Sequence, residues 1–203
     1  MTPSTRADVV IRTYGPGQIP PMIDTLADIW SDAHPELVDT PGASTDGLSA
    51  GALRRQITGH CRHEGFTLVA AYANGNMVGF GYAFPCTPEY WFGPDLLPEI
   101  PEHVRTGGRL MGLCELAVLP TLQSQGIGSR LHSALLQAID PQWSSLLVRP
   151  DNPRGRQMYD RLGYMYAGPY RNAPDGPEFD LLLLEVDAEP PAASGGPLPT
   201  DRP

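Results

Sequence analysis

Cysteine is scarce in this 203-residue chain: Cys61, Cys86 and Cys114 stand at irregular spacing and build no disulfide framework. A reducing, cytoplasmic setting is the expectation that follows. Also missing is any apolar run long enough to span a bilayer, and Met1-Thr2-Pro3-Ser4 does not open a secretory signal, so no membrane partner is expected. Positive charge is short as well. The formal net charge of −9 speaks against general nucleic-acid binding. No internal repeat is evident. The compact run His60-Cys61-Arg62-His63 has no matching ligand pair elsewhere, so it reads as a helix end and no metal is expected.

What is present is a globular pattern, with 41% hydrophobic residues and length enough for one substantial core. Apolar runs predict strands over 9–14, 66–73, 77–84, 110–119, 143–148, 164–166 and 179–186. Helical spacing predicts helices over 21–33, 49–63, 127–139 and 154–162. Asn74-Gly75-Asn76 signals a hairpin, and Gly79 and Gly81 mark a bulge or a close neighbouring backbone. Residues 34–47 read as a loop. Residues 85–108 read as a long irregular connection, a length that is uncommon unless it carries short helices or a function. This order of elements gives a mixed α/β sheet. Residues 1–187 form the expected domain, and 188–203, rich in Pro, Gly and Ala, an expected disordered tail.

The chain is organised around residues 116–131. Leu116-Ala117-Val118-Leu119 is a strand end, broken by Pro120, and Gly126-Ile127-Gly128 opens a helix carrying Ile127, Leu131, Leu135 and Ile139 one turn apart. A strand leading through a glycine turn into a helix N-terminus makes an anion site, because free backbone N–H groups and the positive end of the helix dipole converge there. Gly126 and Gly128 carry no Cβ, so a phosphate can approach the main chain. The stretch has no Walker lysine and no third glycine for a dinucleotide fingerprint.

What stands there is Gln-x-x-Gly-x-Gly at Gln123, Gly126 and Gly128. A second block follows the next strand: Asn152, Gly155, Tyr159 and then Leu162-Gly163-Tyr164. Together, in this order, they resemble the pyrophosphate-binding motif and the following block of the GNAT superfamily, the acetyl-CoA-dependent N-acetyltransferases. The resemblance covers about residues 9–187, with Gly155 in place of the commoner alanine. It implies a mixed, mostly antiparallel sheet flanked by helices and splayed between its fourth and fifth strands.

It also implies acetyl-CoA as the acyl donor. The pyrophosphate cradle would be the main chain of Gln123, Ser124, Gln125, Gly126, Ile127, Gly128 and Ser129. Arg130, Arg154 and Arg156 are candidates for the 3′-phosphate. The main chain of Leu116, Ala117 and Val118 would pair with the pantetheine arm as an added strand does. Asn152 would contact the coenzyme or cap its helix. Tyr159 matches the position that protonates the departing thiolate; its other reading is an aromatic packed in the core. Glu115, a carboxylate in an apolar strand, is the candidate base and acceptor contact, unless it faces solvent at the strand end. His103 and Glu89 are lesser candidates, and Cys114 raises an acyl-cysteine route. Trp30, Tyr90 and Trp91 would wall the acceptor site.

The reaction implied is acetyl transfer from acetyl-CoA directly to a primary amine of a small molecule. The alternatives are a protein or peptide amine, and a non-catalytic acyl-CoA-binding module. A homodimer is a common arrangement in the superfamily.

Overall fold

The computed structural model describes residues 8–38, 49–171 and 176–186. The expected C-terminal tail and most of the loop after residue 38 lie outside the described residues. The elements run β1 (Val9–Tyr14), α1 (Ile23–Ala33), α2 (Pro35–Val38), α3 (Ala50–His60), β2 (Thr67–Ala73), β3 (Asn76–Cys86), α4 (Pro88–Leu96), α5 (Glu102–Thr106) and β4 (Leu110–Val118), then α6 (Ile127–Ile139), β5 (Trp143–Val148), α7 (Pro153–Arg161), β6 (Met165–Arg171) and β7 (Glu178–Glu185). The long connection ahead of β4 is thus filled by two short helices. Thr87 caps α4 by accepting from the Tyr90 N–H, and Gly93, at φ 70°, kinks it before Pro94.

The seven strands form one sheet in the order β1-β2-β3-β4-β5-β7-β6. Every pairing is antiparallel except β4 with β5. Alternation along the strands feeds a core on each face. On one, Leu131 and Leu135 of α6 pack with Val69, Met111 and Leu146. On the other, Leu26 and Trp30 of α1 and Leu53 and Ile57 of α3 pack with Phe80, Tyr82 and Phe84. Filling either core with a fully buried leucine contributes about 2 kcal/mol per side chain by removal from water. Gly79 and Gly81 do mark a close backbone: a Cβ at Gly79 would lie 2.8 Å from the Ala117 carbonyl oxygen. The helices on both faces and the central pair β4–β5 fix the surroundings of residues 112–130.

Candidate active site

Two irregularities in β4 make the site. The first is a bulge. Tyr82 of β3 pairs with Glu115 while the next residue, Ala83, pairs with Leu113, so Cys114 is an extra residue on β4. In a regular strand Glu115 would share a face with Leu113, which packs toward α6. The extra residue turns Glu115 to the opposite face, where it meets α1. The second irregularity is a split. β4 and β5 pair only over residues 110–113 and 143–146. Beyond Leu113 the β5 side of β4 is open, and Cys114, Glu115 and Leu116 keep accessible surface in the middle of a buried strand.

At the bulge, the Trp30 indole N–H donates to Glu115 Oε2 at 3.0 Å, and the Leu116 N–H to Oε1 at 3.2 Å. Burial pushes the Glu115 carboxyl above the usual carboxylate range, opposed by the nearby His34 and by these two donors. His34 sits at the C-terminal cap of α1. Its Nδ1 donates to the Trp30 carbonyl at 3.0 Å, and its ring lies 4.8 Å from the indole. Tyr82, opposite Glu115, contacts His60 Nδ1 at 3.2 Å. Burial, then the neighbouring His63, lowers His60 to about 4, so it is neutral at physiological pH. Burial also raises the Cys114 thiol well above its usual value.

One strand-end away lies the N-terminus of α6. Its cap residue is Gly126, left-handed at φ 81°, with no side-chain cap and no acidic residue in the first turn. The first intrahelical bond is Arg130 N–H to Gly126 carbonyl, so the N–H groups of Ile127, Gly128 and Ser129 precede the helical ladder. A Cβ on Gly126 would meet nothing within 4 Å, so open space faces the turn. Ser124 is also left-handed, at φ 60°, a conformation that costs a non-glycine residue on the order of 1 kcal/mol. Gly128 serves a different purpose from the one its sequence position suggests. A Cβ there would lie 2.9 Å from Met158 Sδ, so the glycine admits α7 against α6 rather than opening the turn.

The polar side chains around the turn divide by partner. Gln123 donates through Nε2 to the Val118 carbonyl at 2.9 Å and accepts from Arg154 at 3.2 Å, which holds Arg154 across the turn. Gln125 donates back to the Thr121 carbonyl. Arg130 donates to the Val9 carbonyl of β1 at 2.7 Å. Arg156 is held by Asp160 at 2.9 Å and Asp180 at 2.8 Å. Two carboxylates already neutralise it. Asn152 caps α7, its Oδ1 accepting from the Gly155 N–H at 2.9 Å. Gly155 leaves room for that cap, since a Cβ would sit 2.8 Å from Asn152 Nδ2.

Tyr159 projects from α7 into the core on the α6 face. Its ring meets Tyr164 edge to face at 5.4 Å, and Tyr164 is pinned by His132 at 2.8 Å and Ser144 at 2.6 Å. The Tyr159 hydroxyl has no hydrogen-bond partner among the described residues, whereas every fully enclosed side-chain N or O there has one. It therefore reaches open space. Burial raises its pKa, and the charges of Tyr164 and Glu115 act in the same direction. Glu115 acts electrostatically on Tyr159, the carboxyl lying on the α1 face of the sheet and the phenol on the α6 face.

Trp91 lies over Gly112 of β4 and donates to Ser145 Oγ of β5 at 2.8 Å, closing the paired end of these strands. Tyr90 is 55% exposed and contacts His63 Nε2 at 3.1 Å. His103 lies against Trp143. Among the described residues no three His, Cys, Asp or Glu side chains come together to hold a metal ion, and no helix is long and apolar enough to cross a membrane. His34 is the site residue that sequence reading missed. Its signal was its spacing, four residues after Trp30 and therefore on the same helical face.

The profile of the acetyltransferase (GNAT) family matches residues 23–164. The chain belongs to this family and is an acyltransferase. Among curated proteins none matches it. Solved structures share its fold at low identity. The ribosomal-protein-S18-alanine N-acetyltransferase from Escherichia coli superposes with a TM-score of 0.59 at 18% identity, over 91% of this chain and 97% of that one. An aminoglycoside 6′-acetyltransferase type Ii gives 0.59 at 18% identity, covering 89% and 99%. The PaiA N-acetyltransferase from Thermoplasma acidophilum, solved with coenzyme A, gives 0.55 at 14% identity, covering 88% and 99%.

Proposed function

We propose that this acetyltransferase moves an acetyl group from acetyl-CoA directly to a primary amine of a small molecule. The observation that carries this reading is the coincidence of three features at one split strand: an uncapped helix N-terminus facing open space at Gly126, an unpaired β4 edge over residues 114–118, and Glu115 and Tyr159 flanking it. These features fit an acyl-CoA. The N–H groups of residues 127–129 suit a pyrophosphate, the open β4 backbone suits the amide-bearing pantetheine arm, and Arg154 supplies a cation at the turn. Acetyl-CoA supplies the activated acyl group as a thioester.

The residues divide the proton work. Glu115, whose carboxyl burial raises above the usual carboxylate range, takes a proton from the incoming ammonium and frees the nitrogen lone pair. Tyr159, kept protonated by its raised pKa, donates to the sulfur as negative charge builds there. Direct transfer is favoured over an acyl-cysteine because the Cys114 thiol is held protonated. The structural neighbours include a protein N-acetyltransferase and an aminoglycoside acetyltransferase, so both acceptor classes belong in the test. Thiol release from acetyl-CoA is measured against small primary amines and against peptides with free N-termini. Turnover with small amines supports the proposal. Turnover with peptides alone reassigns the acceptor, and acetyl-CoA binding without any turnover reassigns the chain as a binding module.

A further inference from the structure

No hydrogen bond ties the Tyr159 hydroxyl among the described residues, so its ring is aimed from its base and its face alone. We propose that Tyr164 is the positioning residue for Tyr159: anchored by His132 and Ser144, it fixes the direction in which the Tyr159 phenol meets the acyl donor. This rests on the acetyl-transfer reading above.

Tyr164 holds Tyr159 twice. After α7 the chain turns back at Gly163, left-handed at φ 92°, and the Tyr164 N–H donates to the Tyr159 carbonyl at 3.0 Å. The same carbonyl takes the Leu162 N–H at 3.0 Å, so the base of Tyr159 is fixed by the last turn of its helix. The two rings then meet edge to face, with centroids 5.4 Å apart and planes at 70°, an arrangement in which aromatic pairs attract. Such a contact sets the orientation of one ring only as far as the other is itself held.

Two bonds hold that other ring. The Tyr164 hydroxyl lies 2.8 Å from His132 Nε2 of α6 and 2.6 Å from Ser144 Oγ of β5. A phenol has one hydrogen to give and can also accept, so these two partners use its capacity in both directions. Ser144 stands beside Met111 in the segment where β4 and β5 still pair, which places the anchor in the closed part of the sheet. Apart from tyrosine and tryptophan, the buried polar side chains among the described residues are His132, Ser144 and Ser145. Ser145 is taken by Trp91, and the other two converge on Tyr164. A phenylalanine at 164 would fill the same core volume without either tie. A satisfied buried network specifies one arrangement where apolar packing tolerates several. Tyr164 acts through Tyr159 and touches neither donor nor acceptor.

The test compares the wild type, Tyr164→Phe, Tyr159→Phe and the double variant by thiol release from acetyl-CoA with a small primary amine. Tyr164→Phe should lower kcat about fivefold or more and leave the KM for acetyl-CoA within about twofold, because a displaced proton donor costs rate rather than binding. In the Tyr159→Phe background the same change should cost nothing further. Unchanged kcat, a loss confined to KM, or an equal loss of kcat in both backgrounds overturns the proposal. NMR of the free protein with labelled tyrosine rings reads the positioning itself. The two edges of the Tyr159 ring should give separate signals in the wild type that merge in Tyr164→Phe. Merged signals in the wild type, or separate ones in the variant, overturn the proposal. This readout needs no substrate, so it decides the positioning even where unchanged turnover in Tyr159→Phe shows that the acid role has failed. If Tyr164→Phe does not fold, Ser144→Ala removes one of the two ties and carries both readouts.

Discussion

The Trp30 indole N–H donates to Glu115 Oε2 across 3.0 Å, tying the first helix to the central strand at its bulge. The bond orients one carboxylate oxygen and favours its charged form. Trp30→Phe keeps the ring in its core and removes the donor. The acid limb of kcat/KM should then move to higher pH, since the carboxylate loses a stabilising partner. An unmoved limb would mean that Glu115 does not set it.

Glu115 also bears on stability, with a sign opposite to most carboxylates. Burial raises its folded-state pKa above 4.5, so the folded chain holds this proton more tightly than the unfolded chain does. Its contribution is therefore greatest below the unfolded pKa and is lost as pH rises through the folded one. Glu115→Gln removes the titration and keeps a carbonyl acceptor for Trp30. Thermal melts should show the variant more stable than wild type at pH 7, with the difference vanishing near pH 4. A pH-independent difference would mean the carboxyl is well solvated.

Tyr159→Phe deletes one hydroxyl that touches open space and leaves the ring against Tyr164. Turnover should fall at least about tenfold, with little change in CoA affinity. Unchanged turnover rules out the acid role.

His132 gives the acid limit. It is 2% exposed and held near Tyr164, and burial lowers its pKa from 6.5 to about 4. The unfolded chain protonates first as pH falls, so this contribution is complete above 6.5 and lost toward 4, amounting to on the order of 3 kcal/mol. His132→Gln should flatten the decline of the urea midpoint between pH 6.5 and 4. The decline will not vanish, because His60 titrates with the same sign.

Much of this site was legible because its constraints are local. The turn at Gly126, the cap at Asn152 and the order of elements along the chain are written in short spacings, and most strand limits fall close to the apolar runs, though β6 extends to Arg171 well beyond its expected 164–166. The bulge was not read, although Glu115 stands in phase with Met111 and Leu113 on an apolar face, a conflict that an extra residue resolves. Helix α4 was obscured because Gly93 and Pro94 interrupt its spacing. Arg156 looked available beside the turn, but Asp180, which occupies it, is 24 residues away in sequence.

The measurement that bears most directly on the account is a calorimetric titration with acetyl-CoA, run on the wild type and on Gly126→Asp. Asp there forces a side chain into a left-handed cap and sets a carboxylate against the N–H groups of residues 127–129. The account predicts acetyl-CoA binding to the wild type and loss of binding in a variant whose melting curve shows it folded. Retained affinity in the folded variant, or no binding by the wild type, would contradict it.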